Sequence, residues 1–396
     1  MRIYVDNAAT TAVSPAARAA MEPFWDEIYG NPSSLHTAGQ RAKMALEEAR
    51  QTVAACLNAD PAEIIFTSGG SEADSQALFS AAAWGEKKGK KHIISTAFEH
   101  HAVLHALGRL EKQGFELTLL DVHGNGVVTA EQVAAAIRPD TALVTVMYAN
   151  NEIGTIQPIG EIGKVCRERG VLFHTDAVQA VGHVPVDVKA LQVDFLSLSA
   201  HKFHGPKGVG ALYCRKGAPL FPLIEGGAQE RGKRAGTENL PGIAGTAAAL
   251  REAVEHMAEN TARVSALRDR LIEGLSPIPH AALNGDREKR LPGIVNFCFE
   301  GIEGESLLLL LNEQGIEASS GSACTSGTLD PSHVLLALGL PHEVAHGSLR
   351  LSLSTYNTQE EIEHILGAVP RVVSYLRDIS PVWEALQKGE KAYVIQ

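Results

Sequence analysis

Lys202 lies in a turn that suits covalent chemistry. Residues 197–212 read SLSAHKFHGPKGVGAL, and the apolar strand predicted here ends at Ser199, just before a Ser-Ala-His-Lys turn. A lysine in such a turn can form a Schiff base with an aldehyde when burial or nearby positive charge lowers the pKa of its ammonium group. Most lysines are solvated surface groups, so the turn by itself indicates a catalytic lysine only weakly.

A carboxylate and an amide follow an earlier strand. Asp176 comes directly after the apolar residues of FHTDAVQAVG (173–182), which places it at the carboxyl end of a sheet, where open α/β folds bind ligands. At that position it can keep a pyridine nitrogen protonated, so that the ring withdraws electrons. Gln179 can hydrogen-bond a ring hydroxyl. The alternative for Asp176 is a helix N-cap, which is a common structural role.

A glycine turn joins another strand to a helix. In TSGGSEAD (67–74), the backbone amides of Gly70 and Ser71 open the helix, and a helix N-terminus attracts phosphate. A Gly-Gly pair can also be only a turn. Taken together, the phosphate cradle, the strand-end carboxylate and the turn lysine are the groups that an enzyme using pyridoxal phosphate needs. Their joint presence favours such an enzyme over three unrelated structural roles.

Alternating strands and helices position these groups. Apolar strands alternating with longer helices predict a largely parallel sheet covered on both faces. The predicted strands are 64–67, 91–96, 115–122, 141–150, 171–176, 194–200 and 208–214. The predicted helices include 15–29, 36–58 and one long helix over 243–275. We predict a large domain over residues 13–255 and a smaller α+β domain formed by residues 1–12 and 256–396.

Composition excludes several classes of function. The 396 residues are 45% hydrophobic and 20% charged, with a net charge of −11, which argues against nucleic-acid and membrane-surface partners. Five scattered cysteines without a CxxC pair argue against a disulfide framework or a structural zinc site, so we predict no resident metal ion. The N-terminus lacks a signal-peptide pattern, and no apolar run approaches about 20 residues. A cytoplasmic location is the expectation.

Longer motifs resemble one family across nearly the whole chain. The chain is similar to the fold-type-I pyridoxal-phosphate enzymes, and within them to the cysteine desulfurases of the nitrogen-fixation and iron–sulfur-cluster assembly type. The resemblance implies a large domain with a mainly parallel seven-stranded sheet. The matching segments are YVDNAATT (4–11), GNPSSLH (30–36), FTSGGSEAD (66–74), MYANNEIGTIQP (147–158), HTDAVQAVG (174–182), SLSAHKFHGPKGVGALY (197–213), GGAQERGKRAGTEN (226–239), SSGSACTSG (319–327) and RLSLS (350–354).

The resemblance implies a set of cofactor contacts. Lys202 would bind pyridoxal phosphate covalently and move protons at the substrate, while Asp176 and Gln179 would contact the ring. His100 would stack on the ring and act as an acid or base, and its neighbour His101 is the alternative. The phosphate would be held by Gly70, Ser71, Ser199 and His201, with Thr237 reaching in from a second subunit of a homodimer with shared active sites.

The substrate contacts implied by the resemblance lie elsewhere in the chain. Asn151, beside the cofactor, and Arg350 would hold the carboxylate of L-cysteine, since the planar fork of an arginine matches a carboxylate. Asn31 would assist across the dimer interface. These residues come from three distant segments of the sequence.

Cys324 lies in the segment SSGSACTSG, within a loop predicted over about residues 319–330. The segment has almost no bulky side chain, so we expect it to be mobile. The resemblance implies that Cys324 takes sulfur from L-cysteine as a persulfide, leaving L-alanine. It would then pass the sulfur to an iron–sulfur scaffold protein or another acceptor. Cys324 is also a candidate transient ligand of an iron–sulfur cluster.

Two other kinds of function stay open at this point. The first is another enzyme of the same fold, such as a selenocysteine lyase or an aminotransferase. The second is a non-catalytic sulfur carrier or iron–sulfur scaffold that uses Cys324 as acceptor or ligand. Lys202 and Asp176 argue against a carrier, which has no use for an electron sink. A yellow colour of the purified protein would distinguish a pyridoxal-phosphate enzyme from a carrier.

Overall fold

Strands and helices alternate through the first half of the chain in the computed structural model, which describes residues 2–320 and 331–395. The strands are β1 (Ile3–Tyr4), β2 (Ile64–Thr67), β3 (His92–Thr96), β4 (Glu116–Leu120), β5 (Thr141–Thr145), β6 (Leu172–Asp176), β7 (Phe195–Ser199), β8 (Gly210–Cys214), β9 (Ala281–Leu283), β10 (Ile294–Phe299), β11 (Ile316–Glu317) and β12 (Ser348–Ser352). The helices are α1 (Pro15–Met21), α2 (Thr37–Leu57), α3 (Gly70–Lys87), α4 (His101–Lys112), α5 (Ala130–Ala136), α6 (Ile159–Arg169), α7 (Val188–Leu191), α8 (Gln229–Gly232), α9 (Leu240–Glu255), α10 (Met257–Leu275), α11 (Gly304–Glu313), α12 (His333–Ala337), α13 (His342–Ala345), α14 (Gln359–Asp378) and α15 (Pro381–Gln387).

The central sheet has seven strands in the order β2-β8-β7-β6-β5-β3-β4. Strand β8 runs antiparallel to both of its neighbours, and the other pairs are parallel. The predicted mainly parallel seven-stranded sheet is therefore confirmed. Because β6 and β7 are parallel neighbours, Asp176 and Ser199 end at the same edge of the sheet.

Both faces of the central sheet are covered by helices. On one face, Leu143 and Phe195 pack with residues of α3 and α4. On the other face, Val144, Phe173 and Leu196 pack with residues of α2 and α9. Successive strand residues point to opposite faces, so each strand supplies apolar side chains to both layers. This is why these strands read as continuous apolar runs in the sequence.

A second apolar core lies around the smaller sheet, which has the order β12-β10-β9 and is antiparallel. Helices α10, α11 and α14 pack against it. Strand β1 pairs in parallel with β11, so the first residues of the chain lie beside this core. The division into domains at residues 12 and 255 stays a prediction.

Two predicted helices were wrong in extent. The helix predicted over 15–29 ends at Met21, since Pro23 lacks the N–H that would continue it. The helix predicted over 243–275 is two helices that meet at His256, where φ is −101° and ψ is 9°. Helix α9 packs in the core of the large sheet and α10 in that of the small one, so the chain changes direction between them.

Candidate active site

The side chain of Lys202 lies just beyond the end of β7, in a single 3₁₀ turn. Its Nζ donates hydrogen bonds to the carbonyl oxygens of Ala8, at 2.6 Å, and Ala9, at 2.9 Å. The side-chain amide of Gln179 donates to the same Ala8 oxygen at 2.9 Å. The N-terminal segment, almost 200 residues away in sequence, therefore brings Lys202 and Gln179 together.

The carboxyl group of Asp176 ends β6 and is buried. One of its oxygens accepts a hydrogen bond from the backbone N–H of Val178 at 2.9 Å. Burial raises the pKa of Asp176 to about 7, and the negative charge of Asp74 adds to this, while Lys202 and His174 lower it. A cation that reached this carboxyl group would stabilise its ionised form, as the protonated nitrogen of a pyridine ring would.

The N-terminus of α3 adjoins the same edge of the sheet. Gly69 precedes the helix with φ of +154°, a conformation that favours glycine. A Cβ atom at Gly70 would lie 2.5 Å from Val178 Cγ2 and 3.7 Å from Ser199 Cβ, so only glycine fits there without a shift. The close packing brings the first amides of an 18-residue helix beside Ser199, as an anion cradle requires.

His100 caps the N-terminus of α4, where its Nδ1 accepts a hydrogen bond from the N–H of Ala102 at 3.1 Å. Burial lowers the pKa of His100 to about 4, and the positive charge of Lys202 adds to this, so its ring is neutral at neutral pH. The alternative residue His101 instead lies against His105 and His333, with ring centroids 5.1 Å and 4.5 Å away.

His201, another of the predicted phosphate contacts, precedes Lys202 and forms a hydrogen bond with the hydroxyl of Thr10 at 3.1 Å. Burial and the charges of Lys202 and Lys207 lower the pKa of His201 to about 4. At neutral pH it would therefore contact a phosphate as a neutral hydrogen-bond donor.

Arg350 lies in β12 and is almost fully buried. Its guanidinium donates to the carbonyl oxygen of Asn151 at 3.0 Å and to the carboxylate of Asp6 at 2.7 Å. The backbone N–H of Arg350 also donates to the carbonyl oxygen of Ser319 at 2.6 Å. Arg350 thus connects Asn151 with the residues that precede the cysteine-bearing segment.

Three predicted site residues are not joined to this group by the contacts described. Asn31 is exposed and its side chain accepts from the N–H of Ser33 at 2.9 Å. Thr237 is exposed and lines a small cavity of about 60 Å³ together with Thr67 and Ser68. Cys324 lies outside the described residues.

The four cysteines that the structure describes are poor nucleophiles. They are free thiols that are buried or half-buried. Burial raises the pKa of Cys56 to about 11 and that of each of the other three to about 12. At neutral pH these thiols are almost wholly protonated, and thiolates are the reactive form. The set is Cys56, Cys166, Cys214 and Cys298.

Comparisons with known proteins agree with one another. A family model described as aminotransferase class-V matches residues 3–365. Cysteine desulfurase IscS of Clostridium botulinum is 53% identical over 393 residues, covering 98% of this chain and 99% of that relative. Cysteine desulfurase IscS of Methanosarcina thermophila is 54% identical over 380 residues, covering 96% and 94%. A solved NifS-like protein superposes with a TM-score of 0.89 at 41% identity, covering 95% of this chain and 100% of that chain. The chain belongs to the cysteine desulfurases of the class-V aminotransferase family.

Cysteine desulfurases of this family depend on pyridoxal phosphate, and the described residues fit that cofactor. Gly70 lets the first amides of α3, which suit a phosphate, lie beside Ser199, since a Cβ at this position would collide with Val178. Asp176 offers a buried carboxyl group for the pyridine nitrogen, and Lys202 offers an amine for the aldehyde. The predicted cofactor and enzyme class are confirmed, and the roles of individual residues stay predictions.

Several polar residues at this site were not singled out from the sequence. Asp6 pairs with Arg350, and the carbonyl groups of Ala8 and Ala9 accept from Lys202. Asp74 and Glu99 are buried carboxyl groups near Asp176. Asp6 and Asp74 lie inside motifs that carry the family resemblance. Their position in these motifs was the only feature of the sequence that could have indicated a role at the site.

The described residues form neither a metal site nor a membrane-spanning helix. Among residues 2–320 and 331–395, no group of three or more histidine, cysteine or acidic side chains is arranged to hold a metal ion. In the same part of the chain, no helix is long and apolar enough to cross a membrane.

We expect the free energy of unfolding to depend on pH through the buried carboxyl group of Glu99. The carboxyl group is fully buried, and burial raises its pKa from 4.5 to about 8, helped by the charges of Asp176 and Asp74. The unfolded chain releases this proton near pH 4.5 and the folded chain near pH 8, so stability is lost as pH rises between the two values. We expect Glu99→Gln, which resembles the protonated form, to lose less stability than the wild type over that range, by a few kcal/mol at about 1.4 kcal/mol per pKa unit.

Urea unfolding of both proteins at about pH 5 and about pH 8 measures this difference. Glu111→Gln is the matched control, since Glu111 is exposed on the neighbouring helix α4. An equal loss of stability in the wild type and in Glu99→Gln would contradict the prediction.

Proposed function

We propose that this chain converts L-cysteine to L-alanine and takes the sulfur as a persulfide on Cys324, from which an acceptor receives it. The observation that carries the proposal is the position of the Lys202 amine, held against the Ala8 and Ala9 carbonyls at an edge where Asp176, Gln179 and the N-terminus of α3 also lie. These are the groups that bind an aldehyde, a pyridine ring and a phosphate, and no sulfur carrier needs them.

Each part of the cofactor has a proposed partner. When bound, pyridoxal phosphate supplies an electron sink for the substrate α-carbon. Asp176 would hold the pyridine nitrogen in its protonated form, and Gln179 would turn its amide from Ala8 toward the ring oxygen. His100 would lie on the ring face. The phosphate would be held by Gly70, Ser71, Ser199 and His201, with Thr237 supplied by a second subunit.

The substrate carboxylate has a proposed site at Arg350. Its guanidinium donates to the carboxylate of Asp6 and to the carbonyl oxygen of Asn151. A carboxylate would compete for the same donors, and Asn151 would then turn its side-chain amide to it. Asn31 of a second subunit would close the site from the other side.

The sulfur transfer has a simple balance of bonds. The thiolate of Cys324 attacks the sulfur of the substrate, so that a sulfur–sulfur bond forms as the bond between Cβ and sulfur breaks. The released electron pair stays with the substrate, which takes up a proton at Cβ to become alanine. Lys202 would remove the α-proton first and return a proton to the α-carbon once Cβ has been protonated, and His100, neutral at neutral pH, would hold or supply a proton nearby.

The segment that carries Cys324 is anchored at both ends near this site. Ser348 donates a hydrogen bond to the carbonyl oxygen of Ser320 at 3.0 Å, on the strand of Arg350. On the other side, the hydroxyl of Ser332 donates to the buried carboxylate of Glu152, and His333 contacts the carbonyl oxygen of Glu99 at 2.9 Å. Glu99 directly precedes His100, so the described residues on both sides of the segment contact residues next to the proposed cofactor site.

The partners remain part of the proposal. We propose a cytoplasmic homodimer with shared active sites, in which residues 13–255 bind the cofactor and residues 1–12 and 256–396 carry the cysteine loop. The sulfur acceptor would be an iron–sulfur scaffold protein or another sulfur-trafficking protein. Its contact with Cys324 would let the cysteine act as a transient cluster ligand.

The proposed reaction is tested by product analysis. The protein loaded with pyridoxal phosphate is incubated with L-cysteine and a dithiol reductant, and alanine and sulfide are measured together. We expect equal amounts of both. Formation of pyruvate in place of alanine, or absence of sulfide, would contradict the proposal. Turnover of selenocysteine alone would favour a selenocysteine lyase.

We expect Arg350→Lys to raise the KM for L-cysteine by at least about tenfold, because an ammonium group cannot bind a carboxylate through two parallel hydrogen bonds. The visible absorbance of the bound cofactor should stay unchanged. Steady-state desulfuration measures the effect, and Arg371→Lys, at an exposed position of α14, is the matched control. An unchanged KM would show that Arg350 does not bind the substrate carboxylate.

A further inference from the structure

A strip of polar side chains lies behind Asp176, on the face of the central sheet that α3 covers. Along β5 the side chains on this face change from Leu143 to Thr145, and along β7 they change from Phe195 to Ser197. Between them, on β6, lies His174. Apolar packing thus gives way to hydroxyl and imidazole groups toward the edge where the cofactor site lies.

His174 connects this strip through both ring nitrogens. Its Nδ1 is 2.8 Å from Thr145 Oγ1, and its Nε2 is 3.0 Å from Ser197 Oγ. Asp74, on the second turn of α3, hydrogen-bonds with Ser197, and its Oδ1 is 3.5 Å from His174 Nε2. All four side chains are at most 1% exposed. The array is therefore a dry chain of four groups, and bulk water cannot supply missing hydrogen bonds.

The protonation state of Asp74 sets which side chain donates and which accepts in each hydrogen bond of this array. Burial lowers the pKa of His174 to about 4, so its ring carries one N–H. If Asp74 is protonated, it donates to Ser197, Ser197 donates to Nε2, and the ring proton is on Nδ1 and points to Thr145. If Asp74 is ionised, Ser197 donates to Asp74, Nε2 must donate to Ser197, and the ring proton moves to Nε2.

Burial and the nearness of two other carboxyl groups favour the protonated form of Asp74. The negative charge of Asp74 raises the pKa of Asp176 and of Glu99, which approaches from the connection between β3 and α4. Lys202 faces Asp176 and lowers the pKa of that carboxyl group. An ionised buried oxygen would require hydrogen-bond donors. Within the described part of the chain, Asp74 Oδ1 has none. Burial raises the pKa of Asp74 to about 7, although the hydrogen bond with Ser197 lowers it.

We propose that Asp74 is a positioning residue that stays protonated beside ionised Asp176 and, through Ser197, fixes His174 as the Nδ1–H tautomer. The inference rests on the proposed role of Asp176 as the partner of the cofactor nitrogen. With Asp74 neutral, Asp176 carries the local negative charge and has no second carboxylate to raise its pKa further. The ordered chain also fixes the rotamer of His174, two residues before Asp176 on the same face of β6.

Nitrogen-15 NMR of histidine-labelled protein, loaded with pyridoxal phosphate, distinguishes the two tautomers at neutral pH. His174→Gln assigns the signal by its disappearance. We expect the Nδ1–H tautomer in the wild type and also in Asp74→Asn, since a carboxamide donates to Ser197 as a protonated carboxyl group does. Asp378→Asn, an exposed aspartate on α14, is the matched control and should change nothing. If Asp74 served packing alone, neither tautomer of His174 would be favoured, and the spectrum would show a mixture of both, which would contradict the inference.

Infrared difference spectroscopy gives a second readout that needs no histidine signal. The wild type minus Asp74→Asn should show the band of one buried protonated carboxyl group at neutral pH. The Nε2–H tautomer in the wild type, or a carboxylate band lost in Asp74→Asn, would overturn the inference. Either result in an enzyme that makes alanine and sulfide leaves the proposed function standing. The expected tautomer in a protein without that activity would overturn the function and keep the inference.

Discussion

Lys202→Ala is expected to lower the rate of L-cysteine desulfuration by at least about a thousandfold, since in the proposed mechanism Lys202 both attaches the cofactor and moves the α-proton. The Nζ atom of Lys202 lies between two backbone carbonyls and near Asp176 and Gln179, the proposed ring partners, so no other described amine has the same surroundings. Initial rates of alanine formation measure the effect. The visible band of the attached cofactor should also be lost.

Two further variants separate chemistry from folding. Lys164→Ala changes an exposed lysine of α6 and should keep the wild-type rate. Lys202→Arg keeps a positive charge that can donate to Ala8 and Ala9 but cannot attach the aldehyde, so it should be as inactive as Lys202→Ala while unfolding close to the wild-type temperature. Wild-type activity in Lys202→Arg would exclude Lys202 as the catalytic amine.

Cys324→Ala is expected to lower sulfide release by at least about a hundredfold while the absorbance of the bound cofactor stays unchanged, because the variant lacks the thiolate that we propose as the sulfur acceptor. The other cysteines cannot replace it easily. Burial keeps the pKa of their thiols at about 11 to 12, so hardly any thiolate is present at neutral pH. Sulfide production in the presence of a reductant measures the effect.

Matched controls come from the same chain. Cys56→Ala changes a half-buried thiol, and Cys166→Ala a buried one, and both variants should keep the wild-type rate if they fold. If Cys56→Ala lost activity while Cys324→Ala kept it, the sulfur acceptor would be Cys56, which would contradict the role proposed for Cys324.

The sequence predicts the local parts of this structure well. Asp176 and Ser199 end neighbouring strands, as the apolar runs before them indicate, and Gly70 opens a helix, as its Gly-Gly turn indicates. In each case a single stretch of about ten residues contains both the strand and the turn, so periodicity and turn chemistry are sufficient. The resemblance to a known family then supplies roles for the residues within these stretches.

Contacts between distant segments could not be read in this way. The Ala8 and Ala9 carbonyls reach Lys202 across the chain, and Asp6 pairs with Arg350. Backbone carbonyls leave no trace in residue type. The break of the predicted long helix at His256 likewise depends on two separate cores, since the local sequence there has neither proline nor glycine.

Buried polar residues are the other group that sequence patterns hide. Asp74 and His174 lie within motifs that the sequence made recognisable, yet their importance follows from contacts with Ser197 and Thr145 on other strands. A carboxyl group on a helix reads as a solvated residue until the packing of that helix is known. The burial of Asp74 is thus a result of the fold and is not visible in its local pattern.

The most direct test of the account is the mass of the peptide that contains Cys324 after the cofactor-loaded protein has been mixed with L-cysteine without a reductant. We predict that this peptide gains the mass of one sulfur atom, that one alanine appears for each sulfur gained, and that the gain disappears on addition of a dithiol. Alanine formation with the added sulfur on another cysteine, or with Cys324 unmodified, would contradict the proposed mechanism.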